Sequence, residues 1–172
     1  SKCGIDSCIF GRGYFIGKGY TCPDKKAEFY WESEDGSRVL TVNLSDWYNN
    51  AQRFSKDIKK AMNLLGVIKK QLDVTSSTDF YLLMNGCDHI EAQEDVLQIL
   101  DHMNKKLPGE DVIFQDTLPD YIQRIKNSGV SLDTYMGEMR NGPKSRLLTN
   151  TLSSRVYLTQ WNSRCQPLIE NR

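Results

Sequence analysis

No apolar run in the sequence approaches the roughly 20 residues that a membrane-spanning helix needs, so nothing here reads as a span. Charge of one sign is also missing. Twenty-two Lys and Arg balance 22 Asp and Glu, which argues against nucleic acid as a partner, because phosphate binding needs a concentrated positive surface. The lysine pairs 59–60, 69–70 and 105–106 read as solvated helix faces. Phosphate-loop glycine patterns are absent as well: neither G-x-G-x-x-G nor G-x-x-x-x-G-K-[ST] occurs at Gly11-Arg12-Gly13, which disfavours a nucleotide-binding domain.

Cysteine is sparse and irregular. Five residues, an odd number without a C-x-x-C pair, support neither a disulfide framework nor a zinc finger. Free thiols in a reducing cytoplasm are the expectation. Histidine is scarcer still. His89 and His102 stand alone without a third donor at metal spacing, so a self-contained zinc site is not expected, and His102 reads as a helix-surface residue. The chain opens on Ser without a visible signal peptide and reads as part of a longer polypeptide. Asn43-Leu44-Ser45 fits a glycosylation sequon, a short pattern that often arises by accident.

What remains is an ordinary soluble composition, 39% hydrophobic and 26% charged over 172 residues. That suits one domain burying about two-thirds of its unfolded surface. Ile5–Phe10 reads as a buried strand, Glu28–Glu32 and Arg38–Leu44 as a hairpin around Asp35-Gly36. Ala51, Phe54, Ile58, Ala61, Met62 and Leu65 share a helical face, with Asn49 or Asn50 as cap. Asp79–Met84 reads as a fully buried strand. Val96, Leu97, Leu100 and Met103 stripe a second helix. Val112–Phe114 reads as a strand, Thr117 opens a helix with a capping-box spacing to Asp120, and Leu132–Met136 reads as another strand. Leu158, Trp161, Cys165, Leu168 and Ile169 form the apolar side of a last helix and read as core. Apart from the hairpin, strands and helices alternate, which predicts an α/β fold with a parallel sheet and right-handed crossovers.

In such folds the active groups sit on loops after strand C-termini. Two loops qualify, 11–15 and 85–93. An arginine between glycines, Arg12, is unspecific, and pattern alone favours a solvated turn. Asn85-Gly86-Cys87-Asp88-His89 is more informative. Its carboxyl group, Asp88, fits a general acid at a strand end, but the acidic run also suits the positive N-terminus of the next helix, and pattern alone favours capping. Trp47 and Tyr48, beside Asp46, offer aromatic faces for a sugar ring; core packing is the competing reading.

Five stretches together resemble the α-mannosidases of glycoside hydrolase family 38, especially bacterial members: GIDSCIFGRG (4–13), EFYWESEDGSRVL (28–40), YLLMNGCDHIEAQEDV (81–96), TYMGEMRNG (134–142) and LSSRVYLTQWNSRCQPLIE (152–170). The resemblance spans nearly the whole chain. It implies that residues 1–172 are one segment of a seven-stranded parallel β/α-barrel catalytic domain, hence a partial barrel here. The implied activity is retaining, zinc-dependent hydrolysis of terminal α-linked mannose. The family's zinc ligands are a His-x-Asp pair, a second Asp that is also the nucleophile, and a later His. None of the four matches a residue of this chain; the second Asp is expected upstream of Ser1 and the His beyond Arg172. Zinc is therefore implied for the intact enzyme and not for this chain alone, which is expected to be inactive.

Residue by residue, the resemblance makes Asp88 the acid/base and Arg12 part of the first sugar site. Trp47 and Tyr48 fall among its sugar-contacting aromatics, and His89 stands where relatives carry an aromatic or His, as a further substrate-binding candidate. An α-mannoside and the remainder of the parent polypeptide are the implied partners, with no membrane or nucleic acid. Open sheet edges favour self-association. The alternative is a non-catalytic α/β module that binds a carbohydrate or a protein.

Overall fold

The computed structural model describes residues 4–11, 26–137, 139 and 156–170. The chain divides into two compact units: residues 1–11 with 16–138, and residues 12–15 with 139–172.

The first unit is built on a four-stranded sheet. Strands β1 (Ser7–Phe10), β2 (Glu28–Glu32), β3 (Arg38–Asn43) and β4 (Thr134–Met136) lie in the order β1-β3-β2-β4. β2 and β3 form the expected hairpin, with Glu28 opposite Val42 and Glu32 opposite Arg38. Gly36 adopts φ +77 in its turn, a conformation that glycine enters without steric penalty. β1 pairs in parallel with β3 and β4 in parallel with β2. The sheet is thus mixed and open, with β1 and β4 at its edges.

Three helices accompany the sheet: α1 (Ile58–Thr75), α2 (Val96–Asn104) and α3 (Leu118–Asn127). Two apolar clusters result. Leu40 and Val42 of β3 pack with Tyr121, Ile122 and Ile125 of α3. Ala61, Ile68 and Leu72 of α1 pack with Ile99, Leu100 and Met103 of α2, together with Ala51 and Phe54. Only half of the expected capping box forms at α3: the Asp120 N–H donates to Thr117 Oγ1 at 3.3 Å, but the Thr117 N–H donates to Asp116 Oδ1 at 2.9 Å, and Asp120 Oδ2 accepts from the Thr117 hydroxyl at 2.6 Å.

Several expectations are corrected. α1 begins at Ile58, not near Asn50, and its cap is Asp57, which accepts from the N–H groups of Lys59 and Lys60. Residues 49–54 cannot extend the helix, because Arg53 sits at φ 51 and Ala51 is bonded elsewhere. Residues 79–84 join no strand ladder. They run beside the turn at 49–54, and the side chain of Asn50 supplies bonds that a partner strand would make. Residues 112–114 also stay outside the sheet. There the Asn104 carboxamide bonds both the N–H and the C=O of Ile113, at 2.8 Å each. The sequon asparagine, Asn43, is 5% exposed within β3 and donates to the Phe10 carbonyl, so it presents no accessible acceptor.

The second unit contains α4 (Val156–Glu170). Its apolar stripe was expected in a core. Instead Leu158, Trp161, Cys165, Leu168 and Ile169 are all exposed. Helical spacing shows which face favours burial, but it does not supply the surface that would cover that face. No helix among the described residues is long and apolar enough to cross a membrane.

Candidate active site

The exit of β3 is tightly wound. The Leu44 N–H bonds the Phe10 carbonyl, and the Trp47 N–H returns to the Leu44 carbonyl at 2.9 Å. This turn holds Trp47 at φ 71. The Trp47 and Tyr48 rings lie 5.1 Å apart at 33°, so adjacent residues present a joint aromatic surface.

The second loop carries Asp88 and His89 in a turn, with His89 at φ 61. The two loops meet where the Tyr48 hydroxyl donates to Asp88 Oδ2 at 3.2 Å. α2 starts only at Val96, and the acid of the run that stands at its cap position is Asp95, whereas Asp88 accepts from Tyr48.

Backbone strain coincides with the meeting point. Trp47, Arg53 and His89 are the positive-φ non-glycine residues among those described, each in a conformation that costs an L-residue about 1–2 kcal/mol. All three lie in the two loops that Tyr48 and Asp88 join. Such strain persists where surrounding structure enforces it, and it concentrates at functional sites.

Carboxamides brace the same loops. Asn50 bonds Met84 and Leu82, Asn85 bonds the Ala51 carbonyl, and Gln93 bonds Asn85 and the Phe54 carbonyl. In the sequence Asn50 reads as a possible helix cap, and Asn85 and Gln93 carry no evident role. Their only signal was polar amides flanking an apolar run.

Beneath Trp47 lies a cavity of about 20 Å³, lined in part by Glu28, Asp46, Asn50 and Tyr121. It has room for about one water molecule and none for a sugar ring. Burial pushes the carboxyl groups of both Glu28 and Asp46 above their ordinary range. Neither Tyr48 nor Asp88 lines this cavity, so a sugar would have to meet the exposed outer face of the loop junction.

The structure therefore brings Trp47, Tyr48, Asp88 and His89 into two adjoining loops. Arg12 lies outside the described residues. Among the described residues no three His, Cys, Asp or Glu side chains gather as metal donors. By themselves these residues do not fit a zinc ion, which takes three or four such ligands.

Comparison with known proteins places these features in a family. Residues 1–138 match the model of the glycosyl hydrolases family 38 N-terminal domain. The chain is 35% identical to a Halalkalibacterium halodurans protein named "Putative mannosylglycerate hydrolase", over 99% of this chain and 20% of that protein. Its fold is similar to the crystal structure of an alpha-mannosidase from Enterococcus faecalis, with a TM-score of 0.71 and 27% identity, covering 82% of this chain and 16% of that one. The chain thus spans about a fifth or less of the length of these relatives. On the match over residues 1–138 and the 35% identity along nearly all its length, the chain belongs to glycosyl hydrolase family 38.

Proposed function

We propose that this chain forms part of the catalytic domain of a retaining, zinc-dependent α-mannosidase, with Asp88 as its general acid/base. The observation that carries this reading is the bond from Tyr48 to Asp88. It couples a carboxyl group to an aromatic pair on two strained, neighbouring loops. A retaining glycosidase uses one carboxylic acid to protonate the departing oxygen, then uses the same group as base toward water. Asp88 takes both parts. Its exposed position leaves it open to the glycosidic oxygen, and the Tyr48 hydroxyl restricts its rotation. Trp47 supplies an apolar face for the sugar ring, and His89 lies beside Asp88 at the rim.

The nucleophile and a complete zinc ligand set are not found among the described residues, and no step assigned to Asp88 passes through the metal. The open sheet is read as a segment of the family's barrel, and the 172 residues alone are expected to hydrolyse no mannoside, with or without added zinc.

The test uses the full-length polypeptide containing this chain and compares two α-mannosides. A dinitrophenyl leaving group departs without a proton, whereas a phenyl leaving group needs one. Asp88→Asn should lower kcat/KM for the phenyl mannoside by about 100-fold or more and leave the dinitrophenyl mannoside nearly unchanged. Mannosylglycerate belongs in the same assay, given the name of the H. halodurans relative. Equal activity of wild type and variant on all three substrates would sink the assignment and favour a non-catalytic binding module.

A further inference from the structure

We propose that Asn50 is a positioning residue for Asp88, its carboxamide setting the register between the two loops that meet at the acid. The inference rests on the reading of Asp88 as the acid and extends it to the groups that hold it in place.

Residues 80–85 belong to no strand ladder. Asn50 supplies the missing edge. Its Oδ1 accepts from the Met84 N–H at 2.8 Å, and its Nδ2 donates to the Leu82 carbonyl at 3.2 Å. The next residue continues the pattern. The Ala51 N–H donates to the Met84 carbonyl at 3.1 Å, and Asn85 Nδ2 donates to the Ala51 carbonyl at 3.0 Å. Two consecutive residues thus form four bonds to the segment that leads directly into Asp88.

A carboxamide is needed because it carries a donor and an acceptor on one short group. Aspartate would keep the acceptor for Met84 but present an oxygen to the Leu82 carbonyl. The far end of the acid loop is held as well. Gln93 Nε2 donates to the Phe54 carbonyl at 2.7 Å, and its Oε1 accepts from Asn85 at 3.3 Å. Loop 85–93 is therefore fastened at both ends to residues 50–54, the stretch that follows Tyr48. Register between these strips decides where the Asp88 oxygens sit relative to the Tyr48 hydroxyl. Misplacing a reacting group by about 1 Å can cost roughly 100-fold in rate.

The experiment uses the full-length polypeptide and the same pair of mannosides, with Asn50→Ala, Asn50→Asp, Asn50→Ser and Asp88→Asn measured together. Asn50→Ala is expected to lower kcat/KM for the phenyl mannoside about 10- to 100-fold, while the dinitrophenyl mannoside changes by less than about threefold. Asn50→Asp, which sets a carboxylate oxygen against the Leu82 carbonyl, should show the same selectivity with a loss at least as large, and Asn50→Ser carries the test if the alanine variant does not fold. A merely structural role predicts equal loss on both substrates. Equal or absent loss at position 50, alongside a selective loss in Asp88→Asn, overturns the positioning assignment and leaves the acid intact. A non-selective Asp88→Asn overturns the reading of Asp88, and the positioning assignment with it.

Discussion

Tyr121 donates its hydroxyl to Glu28 Oε1 at 3.4 Å, tying α3 to β2 across 93 positions of sequence. Glu28 is 3% exposed, and its other oxygen accepts from the Ser77 N–H at 2.6 Å. One buried carboxyl group thereby joins the sheet, α3 and the turn after α1. Burial raises Glu28 above its ordinary value of 4.5 and outweighs the Ser77 bonds that oppose the shift. Tyr121 is held above the usual phenol range, first by burial and then by Glu28 itself, so it remains a donor.

The sign of the pH effect follows. A carboxyl group whose folded pKa exceeds its unfolded value favours folding below about pH 4.5, and that advantage is lost as pH rises through the folded value. Glu28→Gln cannot titrate. The stability of the variant relative to wild type should therefore increase as pH rises from about 4 to 7. Urea unfolding at several pH values measures this, and a difference that stays flat or moves the other way contradicts the account.

His89 is exposed and left-handed at φ 61. Glycine removes the steric penalty of about 1–2 kcal/mol but adds about 0.5–1 kcal/mol of unfolded-state entropy. His89→Gly should raise stability by about 0.5–1 kcal/mol, seen as a small rise in thermal midpoint. A fall would mean that the imidazole makes a stabilising contact larger than the strain.

Tyr48→Phe keeps the ring beside Trp47 and deletes the hydroxyl that reaches Asp88. Because the bond is exposed, stability should drop by less than about 1 kcal/mol. In the full-length polypeptide kcat/KM for the phenyl mannoside should fall about 10-fold with less change in KM. Unaltered kinetics would show that the acid does not depend on this bond.

Asp57 accepts from two N–H groups in the first turn of α1, at 2.9 and 3.4 Å. Asp57→Ala should cost about 1 kcal/mol, and Asp57→Ser should restore most of it. Loss of the same size at Asn49 would show that the helix begins earlier.

The hairpin at Asp35-Gly36 and the N-cap Thr117 were legible in the sequence, because each is a local pattern with a local cause, whereas the stripe of α2 was legible only in part: Leu100 and Met103 are buried, but Leu97 is exposed and Ile99 takes its place in the core. The start of α1 was not. Ala51 and Phe54 have helical spacing with Ile58, yet they reach the same core from a turn. Asp88 was legible as a residue type, but which group it meets was not: that the α2 cap position falls to Asp95 and the Tyr48 hydroxyl to Asp88 depends on the folded loops. The carboxamides at 50, 85 and 93 carried almost no signal, since an amide's bonds depend on which backbone segment lies opposite.

By itself the sequence determined the chain's family, the β2–β3 hairpin and the residue that opens α3, because turn chemistry, capping and matching motifs are properties of adjacent residues, whereas the expected strands at 79–84 and 112–114 did not join the sheet. Only the tertiary structure decided that Tyr48 reaches Asp88, that Asn50 stands in for a strand, and that the α4 stripe is exposed. Those outcomes depend on segments far apart in sequence coming within hydrogen-bonding or packing distance, which neither composition nor spacing specifies.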